Sequence, residues 1–291
     1  MNILFKFYHY QKSRFPVAIL LISLLPAVLS TAAVTQNKDS LFQILGLLLV
    51  SVLYLLHIRI TDELRDFAHD NKHHTTRPIQ SGIISIPELQ KINLLAIGTI
   101  LVISLINNLF TLFVVIILLE YTYIAGKEFF LGNHLRKHFF LYNTVNTLQM
   151  ILLQIYSYMF LFNGTSLNHN VLIHFLFTST GTIIFELARK IKVPGHDGTG
   201  KDTYSYFIGF KKSLIIYVIL VGLNIYFAHQ LLINSHFYSP ITAMILTFFT
   251  LYGLFWPYYH SIKQNKRSEQ LMQLSFIFLY AIINILIYIK I

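Results

Sequence analysis

Nine stretches of mostly apolar residues recur along this chain, at about 16–35, 41–60, 89–106, 108–125, 139–162, 169–187, 212–233, 238–258 and 271–289. Each is near the roughly 20 residues that a helix needs to cross a bilayer. Only 12% of the 291 residues are charged, against 55% apolar, whereas soluble domains carry about 25% charged residues. The expected fold class is therefore all-α: a polytopic membrane protein of about nine transmembrane helices in a single domain over 1–291. The third and fourth spans are joined only by a tight turn at Asn107-Asn108. The first run follows Lys6, Lys12 and Arg14 and resembles a signal sequence, but it is longer than a signal core of about 7–15 residues and reads as a retained helix.

Charge placement tests the nine-span reading. On the side of Met1 fall Lys6, Lys12, Arg14, Arg59, Arg65, Lys72, Arg77, Lys91, Lys127, Arg136, Lys137, Arg189, Lys190, Lys192, Lys201, Lys211, Lys212, Lys263, Lys266 and Arg267, while Lys38 and Lys290 fall opposite, 20 + 2 of the 22 basic residues. The positive-inside rule then places the N-terminus in the cytoplasm and the C-terminus across the membrane. A cell inner membrane is the expected location. The net charge of +10 reads as topology and contact with anionic lipid, not as nucleic-acid binding. The chain has no cysteine, which excludes disulfides, thiolate nucleophiles and thiolate metal sites.

Two long connections on the cytoplasmic face, roughly 61–88 and 188–211, hold most of the acids. If the second span continues as a helix to about Asp70, then at about 100° per residue, with Asp62 as origin, Asp66 lies at roughly 40°, Asp70 at roughly 80° and Glu63 at roughly 100°. Four like charges on one arc repel. Magnesium, which commonly bridges one or two carboxylates to phosphate oxygens, is one natural compensation. A solvated acidic surface is the plainer alternative. Asp70 with His73 or His74 is also a weak zinc pattern, since it contains no thiolate. Arg77-Pro78 closes the segment with a fixed positive charge.

The Asp62–Gly82 segment resembles the first motif of the UbiA superfamily of membrane prenyltransferases, N-D-x-x-D-x-x-x-D followed by a basic stretch ending R-P-x-x-x-G. Asp62 stands at the Asn position, Glu63, Asp66 and Asp70 at the three Asp positions, and Arg77, Pro78 and Gly82 match the tail. Tyr123 and Lys127 are similar to the family's Tyr/Lys pair near the diphosphate. The resemblance implies a helical bundle around a central cavity. It implies Mg2+ held by Asp62, Glu63, Asp66, Asp70 and Glu186, and a polyprenyl diphosphate held by Arg77, Lys127, Arg189 and Lys190. Asp66, Asp70, Lys127 and Glu186 are then the catalytic residues, and the prenyl group passes to a small acceptor, an aromatic ring, a quinone precursor or another small polar molecule.

The second connection departs from the family pattern. Glu186 fits the first acid of the second motif, and Lys201, Thr203 and Gly209 fit its closing K-x-T…G, but Arg189 and Lys190 stand where further acids are expected. Three explanations are open. Arg189 and Lys190 act as fixed cations on the diphosphate; Asp197 or Asp202 folds back to supply ligands; or the site is degenerate and the chain is a non-catalytic or transport protein that binds lipid, quinone or a metal ion. A plain i,i+4 salt bridge between Glu186 and Lys190 is compatible with the first and third. The glycine-rich stretch 195–200 lacks P-loop spacing. Glu120 lies inside the fourth span, where an ionisable group invites a functional reading; it either faces the cavity or pairs with a neighbouring helix. Asn143, Asn146 and Gln149 suggest interhelical hydrogen bonds or cavity lining, and Trp256-Pro257 an interfacial anchor.

Overall fold

The computed structural model describes residues 2–162, 169–193, 203–234 and 239–291. Among them there is no strand. In chain order the helices are α1 (Ile3–Arg14), α2 (Val17–Val34), α3 (Leu41–Arg65), α4 (Phe67–His73), α5 (Ile86–Asn107), α6 (Leu109–Gly126), α7 (Gly132–Leu135), α8 (Phe139–Leu161), α9 (His169–Arg189), α10 (Tyr204–Ile208), α11 (Phe210–Asn234), α12 (Pro240–Lys263) and α13 (Lys266–Lys290). Eight of these, α2, α3, α5, α6, α9, α11, α12 and α13, are long and apolar enough to cross a membrane. The ninth expected span, α8, has the length at 23 residues but is diluted by Asn143, Asn146, Gln149 and Gln154. The chain is a multi-pass integral membrane protein.

The chain divides into two compact units, the first comprising 1–24 and 40–161, the second 25–39 and 162–291. In the first unit, α5 shows how a span divides its surface. It buries Leu89, Ala96, Ile100 and Ser104, a single stripe at helical spacing, and exposes Leu94, Leu95, Val102, Leu105 and Ile106. Lipid is as apolar as leucine, so helix association there depends on close packing and polar bridges. Tyr54 of α3 meets Thr122 of α6 at 2.7 Å, His57 of α3 meets Asn93 of α5 at 2.8 Å, and Ser104 of α5 meets Tyr156 of α8 at 2.7 Å. The turn between α5 and α6 is as tight as expected. Asn108 caps α6 by accepting from the Thr111 N–H at 2.8 Å, and Asn107 Nδ2 donates to the Phe160 carbonyl at 3.0 Å.

The helix α1 was not legible as such in the sequence. Asn2 accepts from the Leu4 N–H at 3.3 Å, and the helix stops before Phe15-Pro16, where the proline ring disfavours helical geometry in the residue before it. Tyr10 is fully buried in a cluster with Phe15, Leu56, Ile60, Ile79, Ile84 and Leu89. Lys6 pairs with Glu88 at 2.6 Å, and Glu88 also accepts from the Ser85 N–H at the start of α5. The segment expected as a loop over 61–88 is therefore mostly ordered: α3 runs on to Arg65, α4 follows, and Ile79 and Ile84 pin the turns to the core.

In the second unit, Asn224 of α11 donates to the Phe177 carbonyl at 2.6 Å and to Thr180 at 3.0 Å, both on α9. Ser30 of α2 joins Asn284 of α13 at 2.5 Å and His174 of α9 at 2.9 Å. Gln273 of α13 donates to the Ala188 carbonyl of α9 at 3.2 Å.

Candidate functional site: two acidic segments and their cations

The second span does not continue unbroken to Asp70. Asp66 is the junction residue, ending α3 and opening α4, with φ −92° and ψ 4°. Its N–H still bonds to the Asp62 carbonyl at 2.9 Å, and the Asp70 N–H to the Asp66 carbonyl at 2.9 Å. The i→i−4 ladder thus carries over the joint and keeps Asp62, Asp66 and Asp70 in succession along it.

Each carboxylate meets a guanidinium. Glu63 is buried at 2% exposure, and its Oε1 accepts from Arg14 Nε at 2.7 Å and Arg59 Nη2 at 2.6 Å. Asp62 pairs with Arg65 at 2.8 Å, and Asp66 accepts from the same guanidinium through both oxygens at 3.1 Å. Arg65 is held from another side by the Tyr142 ring, 5.6 Å from its centroid. Asp70, also 2% exposed, accepts from Arg77 Nη1. Four acids face four arginines, so the repulsion expected along the arc is answered within the chain itself. Arg59 and Arg65 stood at salt-bridge spacing from Glu63 and Asp62, a signal available in the sequence. Arg14 could not be found that way, being 49 residues from Glu63. Burial, reinforced by the Glu63 carboxylate, pushes the Tyr10 phenol up, so α1 presents a neutral hydroxyl there.

The R-P-x-x-x-G tail is a compact pair of turns. The Ser81 N–H bonds to the Arg77 carbonyl at 2.8 Å and the Ile83 N–H to the Pro78 carbonyl at 2.9 Å. Gly82 sits at φ +76°, a left-handed conformation that glycine adopts without steric cost. These turns hold Arg77 over Asp70.

Lys127 directly follows α6. It is exposed, and its Nζ lies 5.9 Å from the centroid of the Tyr123 ring, so the expected Tyr/Lys pair is in contact. The backbone then reverses hand: Glu128, Phe129 and Phe130 have φ of 51°, 54° and 58°. Such strain in residues other than glycine persists only where surroundings over-determine it. Here buried Glu128 is clamped by Arg136 Nε at 2.7 Å, a contact that holds the Arg136 guanidinium even more firmly protonated. Glu120 is exposed on α6 and makes no ion pair among the described residues. Asn143 and Asn146 donate to carbonyls of their own helix four residues back, at 2.8 and 3.0 Å.

In the second unit, Glu186 accepts from Arg189 at 2.8 Å and from Lys190 at 3.1 Å, so the acid and both basic residues of the atypical segment form one local cluster on the last turns of α9. The i,i+4 pair anticipated for Glu186 and Lys190 is present. The Lys190 carbonyl accepts from the Tyr204 N–H at 3.0 Å, and the Lys192 N–H donates to Ser205 at 2.8 Å. Burial first, then the Glu186 carboxylate, push the Tyr204 phenol up to about 12. Thr203 caps α10 by accepting from the Tyr206 N–H at 3.2 Å, and Gly209 ends it at φ +88°, which explains the T…G of the closing pattern. Asp197, Lys201, Asp202 and the stretch 195–200 lie outside the described residues.

The donor set offers partial accommodation to magnesium. The side chains of Asp62 and Asp66 are 31% and 40% exposed and stand one turn apart, presenting the hard oxygens that Mg2+ takes along with water and phosphate. Glu63 is different: its Oε1 is taken by two arginines and its Oε2 is buried without a partner. Among the described residues, the one group of three or more acidic or imidazole ligands lying within 4.8 Å of one another is His69, Asp70 and His74.

No sequence-family model and no curated protein matches the chain. Solved structures do. Digeranylgeranylglyceryl phosphate synthase is 16% identical and superposes with a TM-score of 0.65 over 98% of this chain and 99% of its own. A UbiA homologue from Aeropyrum pernix K1, in its apo form, gives 0.65 at 14% identity over 89% of this chain and 94% of that one. A UbiA homologue from Archaeoglobus fulgidus, bound to DMAPP and Mg2+, gives 0.59 at 15% identity over 95% and 98%. The chain has the UbiA fold, the architecture that the resemblance of its Asp62–Gly82 segment implies.

Proposed function

We propose that this protein is a magnesium-dependent prenyltransferase of the UbiA type, working on a polyprenyl diphosphate at the cytoplasmic face of a cell inner membrane. The observation that carries the reading is the succession Asp62, Asp66 and Asp70, the first two paired with Arg65 and the third with Arg77, set in a fold shared with a homologue that binds DMAPP and Mg2+. Asp66 and Asp70 would be the principal metal ligands, with Asp62 assisting. The ion supplies charge neutralisation of the diphosphate as it leaves.

The chain's own residues do the rest. Arg77 and Lys127 hold the diphosphate by charge-assisted hydrogen bonds. Lys127 is the residue that caps the end of α6, and Tyr123 presents a π face 5.9 Å from its Nζ. The allylic C–O bond breaks with its electrons passing to diphosphate. Phe and Tyr faces stabilise the allyl cation, and the acceptor forms the new bond while giving up a proton. The arginines on the acids are an asset in this scheme: Arg65 and Arg77 hold the carboxylates in place until substrate arrives.

The test is transfer of a labelled prenyl group by purified protein with and without magnesium. Activity that needs the ion, and falls at least about a hundredfold in Asp66→Ala or Asp70→Ala, supports the reading. Activity indifferent to both substitutions would refute it.

A second reading is favoured by the arginine pairing itself. A scaffold whose acids are already matched, and whose Glu186 is matched by Arg189 and Lys190, suits a non-catalytic binder of lipid or quinone. Mass spectrometry of copurified lipid separates the two: intact quinone or lipid supports the binder, a prenyl diphosphate the enzyme.

A further inference from the structure

The imidazoles around Asp70 have no part in the reading above. His69, Asp70 and His74 bring one ligand atom each to within 4.8 Å of the others, and the His69 ring centroid lies 4.6 Å from that of His73, one helical turn along α4, and 6.1 Å from that of His74. We propose that His69, Asp70 and His74 form a binding site for a late first-row transition-metal ion such as zinc, distinct in ligand chemistry from the magnesium site.

Magnesium is hard and takes oxygen ligands. Imidazole suits zinc, copper, iron and nickel. Two imidazoles and one carboxylate make a three-ligand set of the kind that leaves a position on zinc for water or substrate.

The cluster has the supports that such sites need. Asp70 is almost wholly buried, whereas His69 and His74 are exposed, so the carboxylate is fixed and the imidazoles leave an entry path. Arg77 Nη1 donates to Asp70 Oδ2, which leaves Oδ1 as the donor to an ion. An outer partner of this kind orients a ligating carboxylate. Arg77 is held in turn by the turns around Gly82. Because Asp70 also belongs to the acidic series, an ion held here and a magnesium-bound diphosphate draw on the same carboxylate.

The full chain, purified in detergent and stripped with a chelator, is titrated with Co2+ and followed by its visible d–d absorption. Zinc affinity is then read by competition with a chromophoric chelator in millimolar magnesium. The expected result is one tight equivalent that magnesium does not displace, weakened by more than about tenfold in His69→Ala/His74→Ala and unchanged in Asp62→Asn. His69→Ala alone falls between, and because both imidazoles are exposed the variants keep the unfolding temperature of the metal-free parent. Equal binding by parent and double variant, or displacement by magnesium, overturns the site. The readout is independent of prenyl transfer, so an inactive protein that binds zinc and an active one that does not are both decisive.

Discussion

Arg14 Nε donates to Glu63 Oε1 across 2.7 Å, joining the N-terminal helix α1 to the end of α3. The glutamate side chain is 1% exposed and the arginine 19%. Removing one partner of such a pair leaves a buried charge uncompensated, at a cost of about 3 kcal/mol. Arg59 still reaches the same oxygen, which softens the loss. Arg14→Ala therefore lowers stability by about 2–3 kcal/mol, seen as a reduced melting temperature in detergent. Glu63→Gln combined with Arg14→Ala loses less than the two single changes summed, because they remove one interaction. Additive losses would show that the pair is not a unit.

The end of α6 approaches α3 closely at Gly126. A Cβ placed on Gly126 would overlap Thr61 Cγ2, just before Lys127. Overpacking of this kind costs about 1–3 kcal/mol. Gly126→Ala is thus destabilised and shifts Lys127. Thr61→Ser deletes the clashing methyl while keeping the hydroxyl that donates to the His57 carbonyl at 2.9 Å. The double variant should recover most of the parental melting temperature, whereas Thr61→Ser in a Gly126 background gains nothing. Failure of rescue would place the tolerance elsewhere.

What could be read in advance divides along physical lines. Apolar periodicity located the spans because bilayer thickness fixes their length, and the Asn107-Asn108 turn was visible because Asn108 is a good cap. The helix α1 was hidden: its twelve residues are too few and too polar to register as a span, and its place comes from tertiary contacts, the burial of Tyr10 and the ion pairs with Glu63 and Glu88. The acidic arc was legible, but its compensation was half hidden. Arg59 and Arg65 stand at local spacing, while Arg14 reaches Glu63 through tertiary folding alone. Likewise the reversal of hand at Glu128–Phe130 has no glycine to announce it. It exists because Glu128 turns inward to Arg136.

Arg65 bridges Asp62 and Asp66, and this makes a distinction between them measurable. Asp66 meets both Nε and Nη2 of Arg65, while the Asp62 pair with Arg65 is within one helix at i,i+3. If Asp66 is the principal magnesium ligand and Asp62 the assistant, Asp66→Asn lowers kcat/KM by about 100-fold or more and Asp62→Asn by about tenfold, each with little change in melting temperature because both side chains are partly exposed. Raising magnesium should partly restore Asp62→Asn and not Asp66→Asn. Equal losses, or losses that track stability, would reassign the pair to holding Arg65.

Orientation can be settled by exploiting the absence of cysteine, since every introduced thiol is unique. Ser81 and Asp39 are both exposed, and the positive-inside rule predicts Ser81 on the cytoplasmic side and Asp39 on the other. The basic residues Lys72, Arg77 and Lys91 lie near the first position and Lys38 alone near the second. In intact cells a membrane-impermeant maleimide should label Asp39→Cys and spare Ser81→Cys until the inner membrane is permeabilised. If α8 crosses as well as the eight apolar helices, the spans number nine, and a cysteine added after Ile291 should follow Asp39 in the same assay. If that terminal thiol instead behaved like Ser81→Cys, the polar helix α8 would not cross the membrane.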